Sequence, residues 1–312
     1  MYIDSTTLQD LSVFNPKDEA SLFYLIDYTT TTEGKSALIN ILHQPHQKLD
    51  DILHVQNILQ LISRKIEQWP SEISNGTLLV IEKFFDDNPD PIPEDISALQ
   101  ASVYKWMHPR DYSLIVFSVK QLFLLIKGYQ KIHAFFDSPY LPDPLAAMLS
   151  QTTQILRDNH LKALVDKQSF EELSIKEILY YGRLFHVELV QETRKLINIY
   201  GKLDAWYALA QANKVLKLEK PVFTNQTSQI DIKALRHLLL EHAVSYDIKM
   251  NKESNFIFLT GANMAGKSTL IKAVGLAVYM AHLGMGVPAA SMQLSLFDGL
   301  LSNINISDNI SK

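Results

Sequence analysis

The chain has no cysteine. That excludes disulfides and thiolate metal sites and agrees with a reducing, cytoplasmic setting. It shows no uninterrupted apolar run of transmembrane length. Its opening residues, MYIDSTTLQD, put no basic start before an apolar stretch, so neither a membrane span nor a signal peptide is expected. Basic charge is scarce in the first third: residues 1–100 carry 6 Lys and Arg against 16 Asp and Glu, while 101–200 carry 12 against 10 and 201–312 carry 11 against 8. Nucleic-acid affinity comes largely from phosphate neutralisation, so DNA is not expected to be held by that acidic third. Carboxylates are scarce at the other end, where the last glutamate is Glu253 and only Asp298 and Asp308 follow residue 269.

What is present is an ordinary globular composition, 47% hydrophobic and 20% charged, in a length that fits two domains or one and a fraction. The first two thirds read as helix. Ile52, Val55, Leu59, Ile62, Ile66 and Trp69 step by three and four, opened by Asp50 or Asp51 as cap and closed by Pro70. Ile115, Val119, Leu122, Ile126, Tyr129 and Phe136 repeat the stripe. A third helix is expected from about Ser174 to Leu216, with Leu189, Leu196, Tyr200, Leu203 and Ala210 on it. Pro89, Pro91 and Pro93, then Pro139, Pro142 and Pro144, mark breaks between helices. Such stripes are core seams and receive no chemistry. His43 and His46 flank Pro45, and His237 and His242 do not share a helix face, so neither pair is expected to bind metal.

Near Pro221 the pattern changes to short apolar stretches between turns. Asn255–Thr260 (NFIFLT) reads as a buried strand, Ser268–Leu283 as a helix stopped by Gly284, Gly286 and Pro288, and Met292–Leu301 as another strand. Between the first strand and the helix stands TGANMAGKST, residues 260–269. Gly261, Gly266, Lys267 and Ser268 satisfy Gly-x-x-x-x-Gly-Lys-[Ser/Thr], a loop whose backbone N–H groups wrap a polyphosphate at a helix N-terminus. The phosphate-binding residues are expected to be Gly261, Ala262, Asn263, Met264, Ala265, Gly266, Lys267, Ser268 and Thr269. Lys267 faces the β- and γ-phosphates of ATP, and Ser268 offers its hydroxyl to Mg²⁺. Hydrolysis requires further carboxylates. Asp298 ends a strand-like run but is followed by Gly299, and it reads as a turn or cap residue. No catalytic residue is therefore assigned.

The full loop string resembles that of the MutS DNA mismatch repair ATPases. Other matches follow in the family's order: SLFYLIDYTTTTEGKSAL with Asp27, Thr29, Thr31 and Gly34; Leu203-Asp204 with Ala208-Leu209-Ala210; Arg236-His237; HLGMGVPA from His282; and Asp308-Asn309-Ile310. The resemblance implies a mixed fold. An α-helical core and lever region over 1–216 precedes the N-terminal part of an α/β, ABC-type phosphate-loop ATPase domain over 217–312. It also implies ATP and Mg²⁺ as cofactors, dimerisation of the intact protein, and DNA as partner. Asn263 would approach the γ-phosphate. Ala243-Val244-Ser245-Tyr246-Asp247 stands where the family has an adenine-stacking segment, which makes Val244 and Tyr246 candidate adenine contacts.

Departures accompany the resemblance. Mismatch-recognition and connector domains have no counterpart, the DNA-enclosing clamp is expected to be absent or reduced, and the family's signature serine, Walker B pair and final histidine would lie beyond Lys312. The expectation is an ATP-binding half-site without turnover, carrying an exposed sheet edge and an uncovered apolar face. A nucleotide-switched protein-interaction module that does not touch DNA is the alternative. A small-molecule kinase is disfavoured because the helical mass precedes the loop.

Overall fold

In a computed structural model the chain is described over residues 1–14, 21–87, 92, 94, 96–262 and 266–304. In chain order the elements are β1 (Tyr2–Ile3), α1 (Ser5–Asp10), α2 (Leu22–Ile26), α3 (Thr32–His43), α4 (Leu49–Arg64), α5 (Asn75–Asp86), α6 (Ala98–Met107) and α7 (Pro109–Phe135). Then come α8 (Asp143–Leu156), α9 (Lys162–Asp166), α10 (Ile175–Arg183), α11 (Val190–Val215), β2 (Val222–Thr224), β3 (Ile230–Leu235), β4 (Tyr246–Met250), α12 (Lys267–His282), β5 (Ser291–Ser295) and β6 (Gly299–Leu300). The chain is thus mostly helical with a small mixed sheet.

Contacts divide it into two compact units, one of residues 1–29, 35–66 and 205–312, the other of 30–34 and 67–204. The boundary between them on α11 falls at 204/205. Burial groups the N-terminal helices with the C-terminal sheet. Within that first unit His46 N–H donates to the His282 carbonyl at 2.9 Å, and the Tyr279 hydroxyl donates to the Leu42 carbonyl. Gln56 Nε2 reaches the Pro221 carbonyl at 3.1 Å.

The second unit is helical and built around α7, which packs on α5, α6, α8, α9 and α10. By length and composition α7 is apolar enough to cross a bilayer, contrary to the sequence expectation. Its apolar face is occupied by protein instead: Ile115, Val119, Leu122, Ile126 and Tyr129 are all buried, as their three-and-four spacing demands. Pro109 opens it at a position that needs no N–H. Pro139 and Pro142 separate α7 from α8, and Pro144 lies in the first turn of α8, while Pro89, Pro91 and Pro93 lie outside the described residues.

Two helix expectations need correction. The stripe from Ile52 is α4, but its N-cap is Lys48, without a side-chain hydrogen bond, and Asp50 and Asp51 lie inside the first turn. There they act on the helix dipole and not as caps. The helix ends at Arg64, ahead of Pro70, and a 3₁₀ turn over Ile66–Gln68 follows. The helix expected from Ser174 does start there, with Ser174 and Glu177 forming a capping box. It is interrupted by a π-helical turn, Leu184–Glu188, where Leu189 N–H bonds the Leu184 carbonyl at 3.0 Å.

The first unit holds both sheets. β1 pairs in parallel with β6, and the four-stranded sheet has the order β2-β5-β3-β4, with β2 parallel to β5 and the other pairs antiparallel. Asn255–Thr260 is not a strand, and it is not buried: Phe256 and Phe258 are 76% and 80% exposed. A run of apolar residues becomes a strand only where neighbours supply ladder donors and acceptors, and among the described residues no strand pairs with it. Period two survives in its environment, since Ile257 and Leu259 line a cavity while Phe256 and Phe258 face outward. Met292–Leu301 is likewise not one strand. It splits into β5 and β6, which belong to different sheets, and between them the Asp298 carbonyl accepts from Tyr2 N–H at 2.6 Å.

Candidate nucleotide-binding site

The helix after the loop forms where spacing placed it. Gly266 is the N-cap of α12 with φ 85°, a left-handed conformation that favours glycine, and its carbonyl accepts from Leu270 N–H at 2.9 Å. The first N–H groups of α12 have no intrahelical acceptor and point their partial charge at the loop. The Lys267 ammonium reaches back across the loop and donates to the Gly261 carbonyl, and to the Ala262 carbonyl at 2.8 Å. A cation is thereby held between the two ends of the loop, where an anionic ligand would find it. Asn263, Met264 and Ala265 lie outside the described residues.

Lys267 and Ser268 border a cavity of about 700 Å³ whose remaining wall is largely apolar, including Ile248, Met250, Ile257, Leu259, Leu270 and Ile271. Ser268 is exposed and Thr269 half-buried. The N-terminal half of α12 flanks this opening, whereas from Leu276 to His282 every residue is buried. The loop thus stands on a helix whose far end is fixed in the core. The apolar cavity wall and the outward Phe256 and Phe258 are surface that the described residues leave uncovered.

Val244 precedes β4 and is 68% exposed. Tyr246 opens β4 and directs its hydroxyl to the loop: a Cβ built on Gly266 would lie 3.7 Å from it, the nearest approach at that glycine. Asp247 beside it is anchored, Oδ1 accepting from Ala234 N–H at 2.9 Å and Oδ2 from the Lys233 ammonium at 3.1 Å. Those bonds, led by the Ala234 N–H, hold the Asp247 carboxyl below the usual carboxylate range. Asp298 is not brought to Ser268. It does not border the cavity, and its charge acts on the Met1 ammonium, countering the downward shift that burial imposes there.

His282, at the other end of α12, has its Nδ1 2.9 Å from the Val278 carbonyl, and its Nε2 accepts from Phe297 N–H at 3.1 Å. Burial lowers its pKa from 6.5 to about 4. His46 and His237 are also depressed, mainly by burial.

Sequence reasoning missed a clasp in the helical unit. Asp204, fully buried on α11, accepts from the backbone N–H and hydroxyl of both Thr30 and Thr31, at 2.7 to 3.1 Å. Burial raises its pKa while these donors oppose the rise. Gly34 is required beside it, since a Cβ there would lie 2.0 Å from Asp204 Oδ2. The available signal was one aspartate inside an otherwise apolar stretch, Leu203–Ala210.

Residues 257–312 match the family model MutS domain V. The chain is 35% identical over 337 residues to the DNA mismatch repair protein MSH3 of Vanderwaltozyma polyspora, covering 98% of this chain and 31% of that protein. It is 29% identical over 198 residues to the DNA mismatch repair protein MutS of Petrotoga mobilis, covering 59% and 24%. With MutS of Thermotoga maritima it shares 33% over 165 residues, covering 51% and 20%. The chain therefore spans less than a third of the length of these relatives. Matches that run through the helical elements as well as the loop make this chain a member of the MutS family.

Proposed function

We propose that the chain binds ATP with Mg²⁺ at Gly261–Thr269 and couples nucleotide occupancy to its helices in a DNA transaction of the mismatch-repair kind, as part of a dimer. The observation that carries the reading is the Lys267 ammonium resting on the Gly261 and Ala262 carbonyls, directly before the free N–H groups of α12. Cation, helix N-terminus and left-handed glycine converge on one point, which is the chemistry a polyphosphate needs. The residues present fit the ligand: Lys267 would hold its phosphates, and the exposed Ser268 hydroxyl would hold Mg²⁺. Magnesium held there would supply charge neutralisation to the phosphates. Functionally, 1–216 is the core and lever region and 217–312 the N-terminal part of an ABC-type ATPase domain, in a cytoplasmic protein.

Turnover by this polypeptide alone is expected to be negligible, because among the described residues no carboxylate borders the cavity beside Ser268. The relatives' names supply the mismatch-repair setting. A second reading, a nucleotide-switched protein-interaction module without DNA, is favoured by the excess of acid over base in residues 1–100. One titration series tests both. Mg–ATP should bind the chain, and Lys267→Ala should lose it; equal binding by the two would sink the nucleotide site. Duplex and branched DNA are then titrated into the nucleotide-loaded protein at rising salt. Affinity falling with salt supports the DNA reading, and no binding at low salt leaves the interaction module.

A further inference from the structure

Tyr246, Ile248 and Met250 are the half-buried positions of β4, alternating with exposed Asp247 and Lys249. Ile248 and Met250 line the cavity that Lys267 and Ser268 border, so Tyr246 is the polar head of the same strand face. Its hydroxyl lies 3.7 Å from the position of a Cβ on Gly266, the residue that caps α12 and precedes Lys267. No described residue hydrogen-bonds this hydroxyl, whereas the adjoining Asp247 is tied to Ala234 and Lys233 and keeps the start of the strand in place. A phenol O–H is a donor, and the neighbouring groups at this spot, the Lys267 ammonium and the first N–H groups of α12, are donors too. Apart from the Gly261 and Ala262 carbonyls, which already hold the Lys267 ammonium, the groups gathered here can all donate, and a phosphate oxygen is an acceptor they can share.

We infer that Tyr246 is a specificity-determining residue at the phosphate end of this site, its hydroxyl donating to a phosphate oxygen, in place of a ring stacked on the base. The inference rests on the nucleotide-binding reading above. It assigns Tyr246 to the triphosphate and leaves exposed Val244 as the residue toward adenine. Selection by the site is then for polyphosphate, and the contribution of Tyr246 is indifferent to the identity of the base.

The test is calorimetric titration of the full chain with the Mg²⁺ complexes of ATP and of inorganic tripolyphosphate. Wild type, Tyr246→Phe, Tyr246→Ala and Lys267→Ala are compared, with urea midpoints confirming that each variant folds. Tyr246→Phe keeps the ring and removes only the donor. It is expected to weaken both ligands by the same factor, about tenfold or more for a hydrogen bond to a charged oxygen. Tyr246→Phe binding both ligands as wild type does, while Lys267→Ala loses them, overturns the assignment and leaves the nucleotide site standing. Tyr246→Ala weakening ATP alone, with tripolyphosphate unchanged, also overturns it and places the ring on the base. Wild type binding neither ligand removes the site, and the assignment with it.

Discussion

Replacing His282 by Gln should remove a pH dependence of stability from the first unit. The neutral imidazole fits its place: Nδ1–H donates to the Val278 carbonyl and Nε2 accepts from Phe297 N–H. A second proton on Nε2 would set one donor against another in a site with no exposure to water. The folded pKa is therefore depressed to about 4 from 6.5. Above pH 6.5 the ring is neutral in both states, and its contribution is fully present. As pH falls below 6.5 the unfolded chain takes up a proton that the folded chain refuses until about pH 4, so stability is lost across that window. The loss is about 2 kcal/mol by pH 5 and about 3 kcal/mol across the whole window, at 1.36 kcal/mol per pH unit. Gln can make both hydrogen bonds, through its amide N–H and its carbonyl, without titrating. Urea unfolding of both proteins at pH 7, 6 and 5 supplies the comparison. Carboxylates and the distant histidines contribute equally to each, so the difference between the two curves isolates His282 together with its coupling to His46 and the Met1 ammonium. If wild type and His282→Gln lose the same free energy between pH 7 and pH 5, the reasoning is refuted.

Two further outcomes follow from packing. Gly34→Ala drives a Cβ against the Asp204 carboxylate, which four donors hold in place, and should cost about 2–3 kcal/mol in urea unfolding; a change under about 0.5 kcal/mol would show that the clasp yields. Leu122→Ala empties a fully buried position on α7 and should cost about 2–5 kcal/mol in urea unfolding. A neutral result there would mean that the apolar face of α7 is not a protein core.

The long helices were legible because their determinants are local. Three-and-four spacing fixes which face of α7 is buried, and Ser174 with Glu177 starts α10 within a single turn. Capping was less legible. Asp50 and Asp51 have the right chemistry for a cap, yet the helix begins before them, because helical geometry already includes Leu49. The run at 255–260 shows the limit of period and propensity: apolar content marks a segment for burial, but its ladder depends on strands that only the folded chain can bring alongside.

By itself the sequence determined that a Gly-x-x-x-x-Gly-Lys-Ser string stands at residues 261–268, because that pattern is carried by eight neighbouring positions and needs nothing from the rest of the chain. It determined the family resemblance and the absence of thiol chemistry as well. Tertiary structure alone decided what surrounds the loop. Tyr246 reaches Gly266 across twenty residues of chain, the Met1 ammonium and not the loop faces Asp298, and Asp204 joins Thr30 and Thr31 over more than 170 residues. No local pattern encodes those pairs, since each forms only once burial of separate apolar faces has closed the intervening chain.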